Sequence, residues 1–212
     1  MKIAVIGATG FVGSHVIAEA ARRGHSVLAL SRGNSPVEYA DPAIQSVLLD
    51  ILDTQALTKV FKQVDAVISA YNSGWQNPNL YADYKKGYES IITAAKASGV
   101  GQIIMVGGAS SLVLPDGRLV YETIPDEMKP IVKGALELLD EVRRDTSFPW
   151  TFLSPAINLT AGERTGRYRL GDDSPVFDDK GESTVTVGDL ASALLDEAEN
   201  PTHINRRFTV GS

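Results

Sequence analysis

The sequence contains no cysteine and only three histidines, and both shortages exclude kinds of site. Without cysteine there is no disulfide, no thiol nucleophile and no cysteine-ligated metal. His15, His25 and His203 are scattered along 212 residues. Because a metal centre needs clustered ligands, we expect no metal site.

The chain also lacks an excess of basic residues and long hydrophobic runs. Twenty basic and 26 acidic residues give a net charge of −6, so we expect no nucleic acid and no anionic membrane as partner. No apolar run approaches the roughly 18 residues that span a bilayer, and Met1 leads into a β-forming run instead of a signal peptide. We expect a soluble cytoplasmic protein with a small-molecule substrate. The oligomeric state stays open.

A glycine-rich turn follows the first β-forming run of the chain. Ile3–Ile6 predicts a strand, a helical pattern starts at Phe11, and Gly7, Gly10 and Gly13 recur at three-residue spacing. The first glycine permits a sharp turn, the second lets backbone N–H groups approach a pyrophosphate, and the third lets helix and strand pack closely. This context predicts dinucleotide binding. An ordinary βα turn with chance glycines is the alternative. The predicted binding residues of the turn are Gly7, Ala8, Thr9, Gly10, Phe11, Val12 and Gly13.

Short apolar segments alternate with helical patterns along most of the chain. The predicted strands are Ile3–Ile6, Ser26–Leu30, Ser46–Leu49, Ala66–Ser69, Gln102–Val106, Trp150–Leu153 and Phe208–Val210. The predicted helices are Phe11–Arg23, Thr54–Phe61, Leu80–Ala97, Glu127–Arg144 and a last helix that starts with a capping box at Thr186–Asp189 and runs through Glu199. The alternation predicts an α/β fold with a doubly wound, mostly parallel sheet.

The alternation breaks after about Asn158. Glycines and a charged run from Asp172 to Glu182 predict loops and a small hairpin. With no linker and no internal repeat, residues 1–212 are expected to form one domain, in which residues 158–212 contribute a small lobe on the substrate side.

The carboxyl ends of parallel strands meet at one edge of the sheet, so the segments after the strands are expected to line one crevice. The predicted cofactor-binding residues beyond the glycine turn are Ser31, Arg32, Asp50, Ile51, Ala70, Tyr71, Asn72, Gly107, Ser154, Pro155 and Ala156.

The end of the second strand indicates which dinucleotide binds. An NAD site usually has an acidic residue there, but this strand ends in Ser31 and Arg32. A guanidinium suits a 2′-phosphate, which favours NADP over NAD, although NAD remains possible. A solvated loop arginine is the alternative. Asp50 is expected near the adenine, or else as a cap of the next helix.

Several segments resemble a known family. Gly7–Gly13, Ser31-Arg32 and Asp50 are similar to the atypical short-chain dehydrogenase/reductase superfamily, in its NAD(P)-binding, NmrA-like branch. Val106–Leu112 and Leu153–Ala156 resemble its NADH-flavin reductase subgroup, as do Gly162–Tyr168 and Arg207–Gly211, and the likeness to flavin/biliverdin reductase B is more distant. The resemblance implies a Rossmann fold, a nicotinamide cofactor and hydride transfer to flavins or quinones.

One part of the superfamily pattern is missing. Active short-chain dehydrogenases carry Tyr-x-x-x-Lys on the helix after the fifth strand, but Glu127–Arg144 contains no tyrosine and its Lys133 is expected at the surface. Tyr81 and Lys85 have the right spacing on a different helix, where a shared helix face explains them. Alcohol or ketone chemistry assisted by such a pair is therefore doubtful.

Flavin reduction does not need that pair, because the protein must mainly stack two flat rings. Ser110 or Ser111 is the candidate catalytic group that hydrogen-bonds substrate or ribose. Trp75, Tyr121 and Ile157 are expected in the substrate pocket, with Tyr71 as a further flat wall, although Trp75 and Tyr121 also suit loop anchors and Trp150 suits the core.

We therefore expect an NADPH-dependent reductase of a flavin, quinone or similar planar acceptor. A non-enzymatic NADP-binding sensor of the NmrA type is the alternative, because the Tyr and Lys pair is missing. A sugar-nucleotide epimerase is a third hypothesis, which the glycine spacing allows.

Overall fold

The computed structural model describes residues 1–33 and 36–212. Its strands are β1 (Lys2–Ile6), β2 (Ser26–Ser31), β3 (Ile44–Leu48), β4 (Ala66–Ser69), β5 (Ile103–Val106), β6 (Trp150–Pro155), β7 (Asn158–Thr160), β8 (Arg169–Gly171), β9 (Thr184–Thr186) and β10 (Arg206–Gly211). Its helices are α1 (Phe11–Arg22), α2 (Thr54–Phe61), α3 (Leu80–Ser98), α4 (Val120–Thr123), α5 (Lys129–Arg143) and α6 (Val187–Glu199), with a 3₁₀ turn at Ala109–Ser111.

One large sheet organises the described residues, in the strand order β3-β2-β1-β4-β5-β6-β10-β8. Neighbouring strands run parallel except β8, which is antiparallel to β10. The chain builds outward from β1 to β3 and then resumes at β4 on the other side of β1. This confirms the predicted doubly wound Rossmann fold and places its switch point between β1 and β4.

Helices cover both faces of the sheet. Side chains of β1 alternate between the two cores: Ala4 and Ile6 join α2, α3 and α5 on one face, and Ile3 and Val5 join α1 and α6 on the other. Trp150 is buried in the first core, as predicted. In the part of the chain that the structure describes, no helix is long and apolar enough to cross a bilayer.

The predicted bounds of the strands and helices agree with the structure to within two residues. The short helix α4 and the 3₁₀ turn were not predicted, because a single turn carries too few residues to show a period. Both lie in the segment between β5 and α5.

The hairpin predicted in the segment before residue 182 is wrong. β7 pairs in parallel with β9, and β8 pairs with β10, so neither strand pairs with a sequence neighbour. Such pairings depend on distant segments and leave no local turn signature. Within residues 158–212, α6 and β10 belong to the main layers, and β7 and β9 form a small separate sheet.

The predicted cap of α6 is half confirmed. Thr186 Oγ1 accepts a hydrogen bond from the Asp189 amide at 3.1 Å. The Asp189 carboxylate does not reach back; it accepts from the amides of Thr165 and Gly166, both at 2.8 Å, and from the Thr165 hydroxyl at 2.6 Å. Asp189 therefore fixes the 165–166 loop against the start of the helix.

A charged network joins α1 to α6. Glu19, only 7% exposed, accepts from Arg22 and Arg23 at 2.7 Å, and Arg23 also pairs with Asp196 at 2.7 Å and Glu199 at 2.9 Å. The hydrogen bond from Arg22, assisted by Arg23, outweighs the opposing effect of burial and lowers the pKa of Glu19 from 4.5 to about 2. The ionised carboxylate therefore stabilises this helix pair.

Replacing the Glu19 carboxylate should make the protein less stable at neutral pH. It should also make the free energy of unfolding less dependent on pH in the acidic range. Since the folded pKa of Glu19 is depressed, its contribution is complete above pH 4.5 and is lost as pH falls toward about 2. We expect Glu19→Gln to lower the free energy of unfolding at pH 7 by on the order of 2 kcal/mol. Urea titrations from pH 7 to 2.5 should show the two proteins converging at low pH; parallel curves would contradict the assignment.

Candidate functional site

A crevice of about 270 Å³ opens at the carboxyl edge of the sheet, at the switch point between β1 and β4. It draws on the ends of four strands and the loops that follow them. The lining residues are Ile6, Gly7, Thr9, Gly10, Leu30, Ser31, Arg32, Leu49, Ile51, Ala70, Tyr71 and Asn72. The structure thus brings together residues that the sequence analysis selected after β1, β2, β3 and β4.

Two glycines of the first turn are required by close backbone contacts. Gly7 has φ +75°, and a Cβ there would lie 2.5 Å from the carbonyl oxygen of Ala70. A Cβ on Gly13 would lie 2.1 Å from the Gly7 carbonyl oxygen. No side chain fits either position, so β1, α1 and the end of β4 approach one another as closely as backbones allow.

The start of α1 has no side chain of its own to satisfy its amides. Gly10 is the N-cap, and the first turn contains no acidic residue. By contrast, Asp53 caps α2 and Thr186 caps α6 with side-chain oxygens. The N–H groups of the first turn of α1 have no helix carbonyl to bind, so this end of the helix suits an anion.

Arg32 lines the crevice at the end of β2 and is exposed to solvent. In the ion pairs formed by residues 1–33 and 36–212, Arg32 takes no part. Ser31 beside it is buried, and its carbonyl accepts from the Leu49 amide at 3.1 Å. The guanidinium therefore lies at the crevice without an ion pair to any carboxylate of the described residues.

Tyr71 forms a rigid wall of the crevice. Its ring stacks on Tyr84 at 6.0 Å and meets Tyr88 edge-on at 5.7 Å, and its hydroxyl donates to the Asp83 carbonyl at 3.0 Å. Burial raises the pKa of Tyr71, so its hydroxyl stays protonated at neutral pH. A Cβ on Gly87 of α3 would lie 2.4 Å from this ring, which explains a glycine inside that helix.

Asp50 and Asn72 are tied to neighbouring backbone. Asp50 Oδ1 accepts from the Leu52 amide at 3.0 Å, and Asn72 Oδ1 accepts from the Gly74 amide at 2.7 Å. Asp50 is not among the residues that line the crevice, whereas its neighbour Ile51 is. The alternative that Asp50 caps α2 is wrong, because Asp53 accepts from the Ala56 amide at 2.9 Å.

A second group of selected residues follows β5 and β6 on the same edge, outside the 270 Å³ crevice. A Cβ on Gly107 would lie 2.0 Å from the Phe152 ring, so only glycine fits there. Ser110 and Ser111, in the 3₁₀ turn, are buried. Ser154 and Ala156, around the end of β6, are buried as well. Pro155 ends that strand.

Three selected residues have exposed or half-exposed side chains. Trp75 in the loop before α3 is 68% exposed, and Ile157 just after β6 is 39% exposed. Tyr121 in α4 lies with its ring 5.8 Å from Lys129 Nζ. These three side chains are therefore accessible to a ligand at the carboxyl edge of the sheet.

Tyr81 and Lys85 belong to a surface cluster between α3 and α5. The Tyr81 hydroxyl donates to Glu137 at 2.5 Å, and Lys85 pairs with Glu141 at 3.2 Å. Lys133 pairs with Glu137 at 3.4 Å. All the cationic and phenolic groups of this cluster are engaged with the carboxylates of α5. In the described residues, no three histidine, aspartate or glutamate side chains form a metal-binding group.

Sequence reasoning missed Arg207 and Asp173. Arg207 in β10 is buried, and its Nε donates to Asp173 Oδ1 at 2.8 Å. A charged residue directly before the apolar run at Phe208 was the available signal, but its partner lies 34 residues away. Distant pairing of this kind is not visible in a local pattern.

Comparison with known proteins decides the family. A model of an NAD(P)H-binding family matches residues 7–201. The chain belongs to this family. The curated protein YwnB of Bacillus subtilis (strain 168), described as uncharacterized, is 36% identical over 217 residues that cover 100% of this chain and 99% of YwnB.

Solved structures give the same result. A Bacteroides thetaiotaomicron structure named a "putative epimerase" is 38% identical with a TM-score of 0.90, covering 99% of this chain and 96% of that one. A Streptococcus pneumoniae structure named a "putative NADH-flavin reductase" is 31% identical with a TM-score of 0.88, covering 100% and 99%. The chain is thus an NAD(P)H-binding protein, and its relatives carry more than one activity name.

Adding a methyl group to Gly10 should separate cofactor binding from folding. Gly10 has φ −80°, and a Cβ there meets only the Gly7 carbonyl oxygen, at 3.2 Å. We expect Gly10→Ala to change the free energy of unfolding by less than about 1 kcal/mol but to weaken NADPH binding, measured by calorimetry, by about tenfold or more.

Gly101→Ala is the matched control, because its Cβ would meet the Asp65 carbonyl oxygen at 3.1 Å, before β5 and away from the crevice. It should bind NADPH like the wild type. Equal affinities of Gly10→Ala and the wild type would contradict the placement of the phosphates at this turn.

Proposed function

We propose that this protein is an NADPH-dependent reductase whose acceptor is a flavin, a quinone or a similar planar molecule. The family and the relatives support an oxidoreductase that uses a nicotinamide cofactor. The observation that carries the finer proposal is the crevice itself, in which the glycine turn of Gly7–Gly13 meets Arg32, an arginine that forms no ion pair among residues 1–33 and 36–212. Helix α5 carries no tyrosine.

The residues of the crevice fit an NADP molecule. The uncapped start of α1 would hold the pyrophosphate, and the Gly7–Gly13 contacts leave no Cβ in its way. Arg32 and Ser31 would hold the 2′-phosphate, and Ile51 and Tyr71 supply apolar walls beside the adenosine. Bound NADPH supplies a hydride. Gly107, directly after β5, and Ser154–Ala156, at the end of β6, would lie along the nicotinamide end.

The acceptor follows from what the site offers and what it lacks. Reduction of a ketone usually needs a residue that protonates the oxygen, and α5 carries no tyrosine for that role. A flavin or quinone delocalises the charge that it gains, so it places a smaller demand on a protein acid. Trp75, Tyr121 and Ile157 would provide flat or apolar contacts at the carboxyl edge. The S. pneumoniae relative named as an NADH-flavin reductase supports this acceptor class.

A non-enzymatic NADP-binding sensor is a second candidate. The absence of a tyrosine on α5 favours this candidate. Tyr81 and Lys85, which have the right spacing on α3, do not replace it, because they are engaged with Glu137 and Glu141 on the surface. The name of the Bacteroides relative raises an epimerase as a third candidate. The missing tyrosine weighs more against an epimerase than against flavin reduction. A sugar substrate cannot delocalise the charge formed on its oxygen, whereas a flavin can delocalise the charge that it gains.

A panel of acceptors distinguishes these candidates. We expect NADPH oxidation, followed at 340 nm, to be stimulated by FMN, FAD or menadione and to be slower with NADH. Tight NADPH binding without turnover on any acceptor would favour the sensor.

Arg32 should determine the preference between the two nicotinamide cofactors. A charge-assisted hydrogen bond to phosphate contributes about 1.5–3 kcal/mol, so Arg32→Ala should weaken NADPH binding by about 10- to 100-fold and leave NADH binding within about twofold. Arg144→Ala, at the exposed C-cap of α5, is the control. An unchanged ratio of the two affinities in Arg32→Ala would remove Arg32 from the 2′-phosphate site.

A further inference from the structure

We propose that Arg207 is a positioning residue that polarises the hydroxyl of Ser111 toward the acceptor, through a buried cluster formed by Ser111, Ser154 and Arg207. This inference rests on the proposed reductase function and names the group that stabilises the charge formed on the acceptor. The cluster lies beneath the 3₁₀ turn, at the carboxyl edge of the sheet.

Arg207 supplies a permanent positive charge inside the protein. Its side chain is only 1% exposed. Nε donates to Asp173 Oδ1 at 2.8 Å, and Nη2 donates to the Asp173 carbonyl at 3.3 Å as well as to the carboxylate. Asp173 in turn pairs with Arg143 at 2.8 Å and is 60% exposed. The guanidinium is therefore fixed from its outer side, and Nη1 faces inward.

The inward Nη1 group meets two serine hydroxyls. It lies 3.4 Å from both Ser111 Oγ and Ser154 Oγ, which are 3.3 Å from each other. A guanidinium has no acceptor, so both serine oxygens must accept from it. Either hydroxyl can donate to the other across this 3.3 Å pair. We assign the donor role to Ser154, the more deeply buried of the two, and this assignment leaves the proton of Ser111 for the acceptor.

Two buried hydroxyls without a hydrogen-bond partner belong to residues next to this cluster. The described residues contain three buried side-chain atoms without a partner, and two of these are Ser110 Oγ, next to Ser111, and Thr209 Oγ1. Thr209 stands opposite Ser154 in the register of β10 and β6. Buried hydroxyls without partners are uncommon in proteins, and they mark this part of the carboxyl edge as more than packing.

The chemistry gives the cluster a role. A flavin or quinone that accepts a hydride gains one negative charge and later takes a proton from water. A hydroxyl whose oxygen accepts from a buried guanidinium is a stronger donor to such a charge than a free hydroxyl. The arrangement supplies positive charge without a titratable lysine, because arginine remains protonated in proteins.

Three substitutions test this role. With NADPH and menadione or FMN, we expect Arg207→Gln and Ser111→Ala each to lower kcat by about tenfold or more, while KM for the acceptor and the calorimetric Kd for NADPH stay within about twofold. The double variant should lose no more than either single variant, because both changes remove the same donor. Arg143→Gln removes the other cation at Asp173 without touching the serines, and its kcat should stay within about twofold of the wild type.

The outcomes separate two failures. No turnover by the wild type on any acceptor would overturn the proposed function and this inference with it. Turnover by the wild type, with kcat unchanged in Arg207→Gln or with losses that multiply in the double variant, would overturn the inference alone. If Arg207→Gln does not fold, as judged by thermal melting, Ser111→Ala and Ser154→Ala decide: normal kcat in both would contradict a role for the Ser111–Ser154–Arg207 cluster.

Discussion

The close approach of three backbone segments at Gly7, Gly13 and Ala70 is the constraint on which the rest of the structure depends. Side chains are excluded where the β1–α1 turn meets the end of β4, because a Cβ on either glycine would overlap a carbonyl oxygen. This contact fixes the start of α1 against the sheet edge, and the start of α1 defines one wall of the crevice. The proposed phosphate site is therefore a consequence of backbone packing.

Helix α1 needs a second support, because one end of a helix does not determine its direction. Arg23, held by Glu19 at the end of α1, supplies it by pairing with Asp196 and Glu199 of α6. Asp189, a fully buried carboxylate at the start of α6, is held by three hydrogen bonds from the 165–166 loop. Buried carboxylates of this kind tolerate little movement of their donors. The last third of the chain, which contributes no residue to the 270 Å³ crevice, thus stabilises the helix that borders it.

The features that the sequence predicts and those that it does not differ in their physical range. The βα alternation, the cap at Thr186 and the turn at Gly7–Gly13 are local patterns, and the structure contains each of them. The parallel pairing of β7 with β9 and the contact of Arg207 with Asp173 join segments more than twenty residues apart. Their energies come from tertiary neighbours, so neither periodicity nor turn chemistry could indicate them.

The same distinction explains why the cofactor is easier to infer than the acceptor. A dinucleotide binds mostly to backbone amides and to residues directly after strands, which a sequence displays at fixed spacing. The proposed acceptor side combines Ser111 after β5, Ser154 in β6 and Arg207 in β10, so it would form only when three strands that are far apart in the sequence are aligned. Relatives that keep the first set and change the second would retain NAD(P)H and alter the reaction. The two similar structures that are named a "putative epimerase" and a "putative NADH-flavin reductase" are consistent with that division.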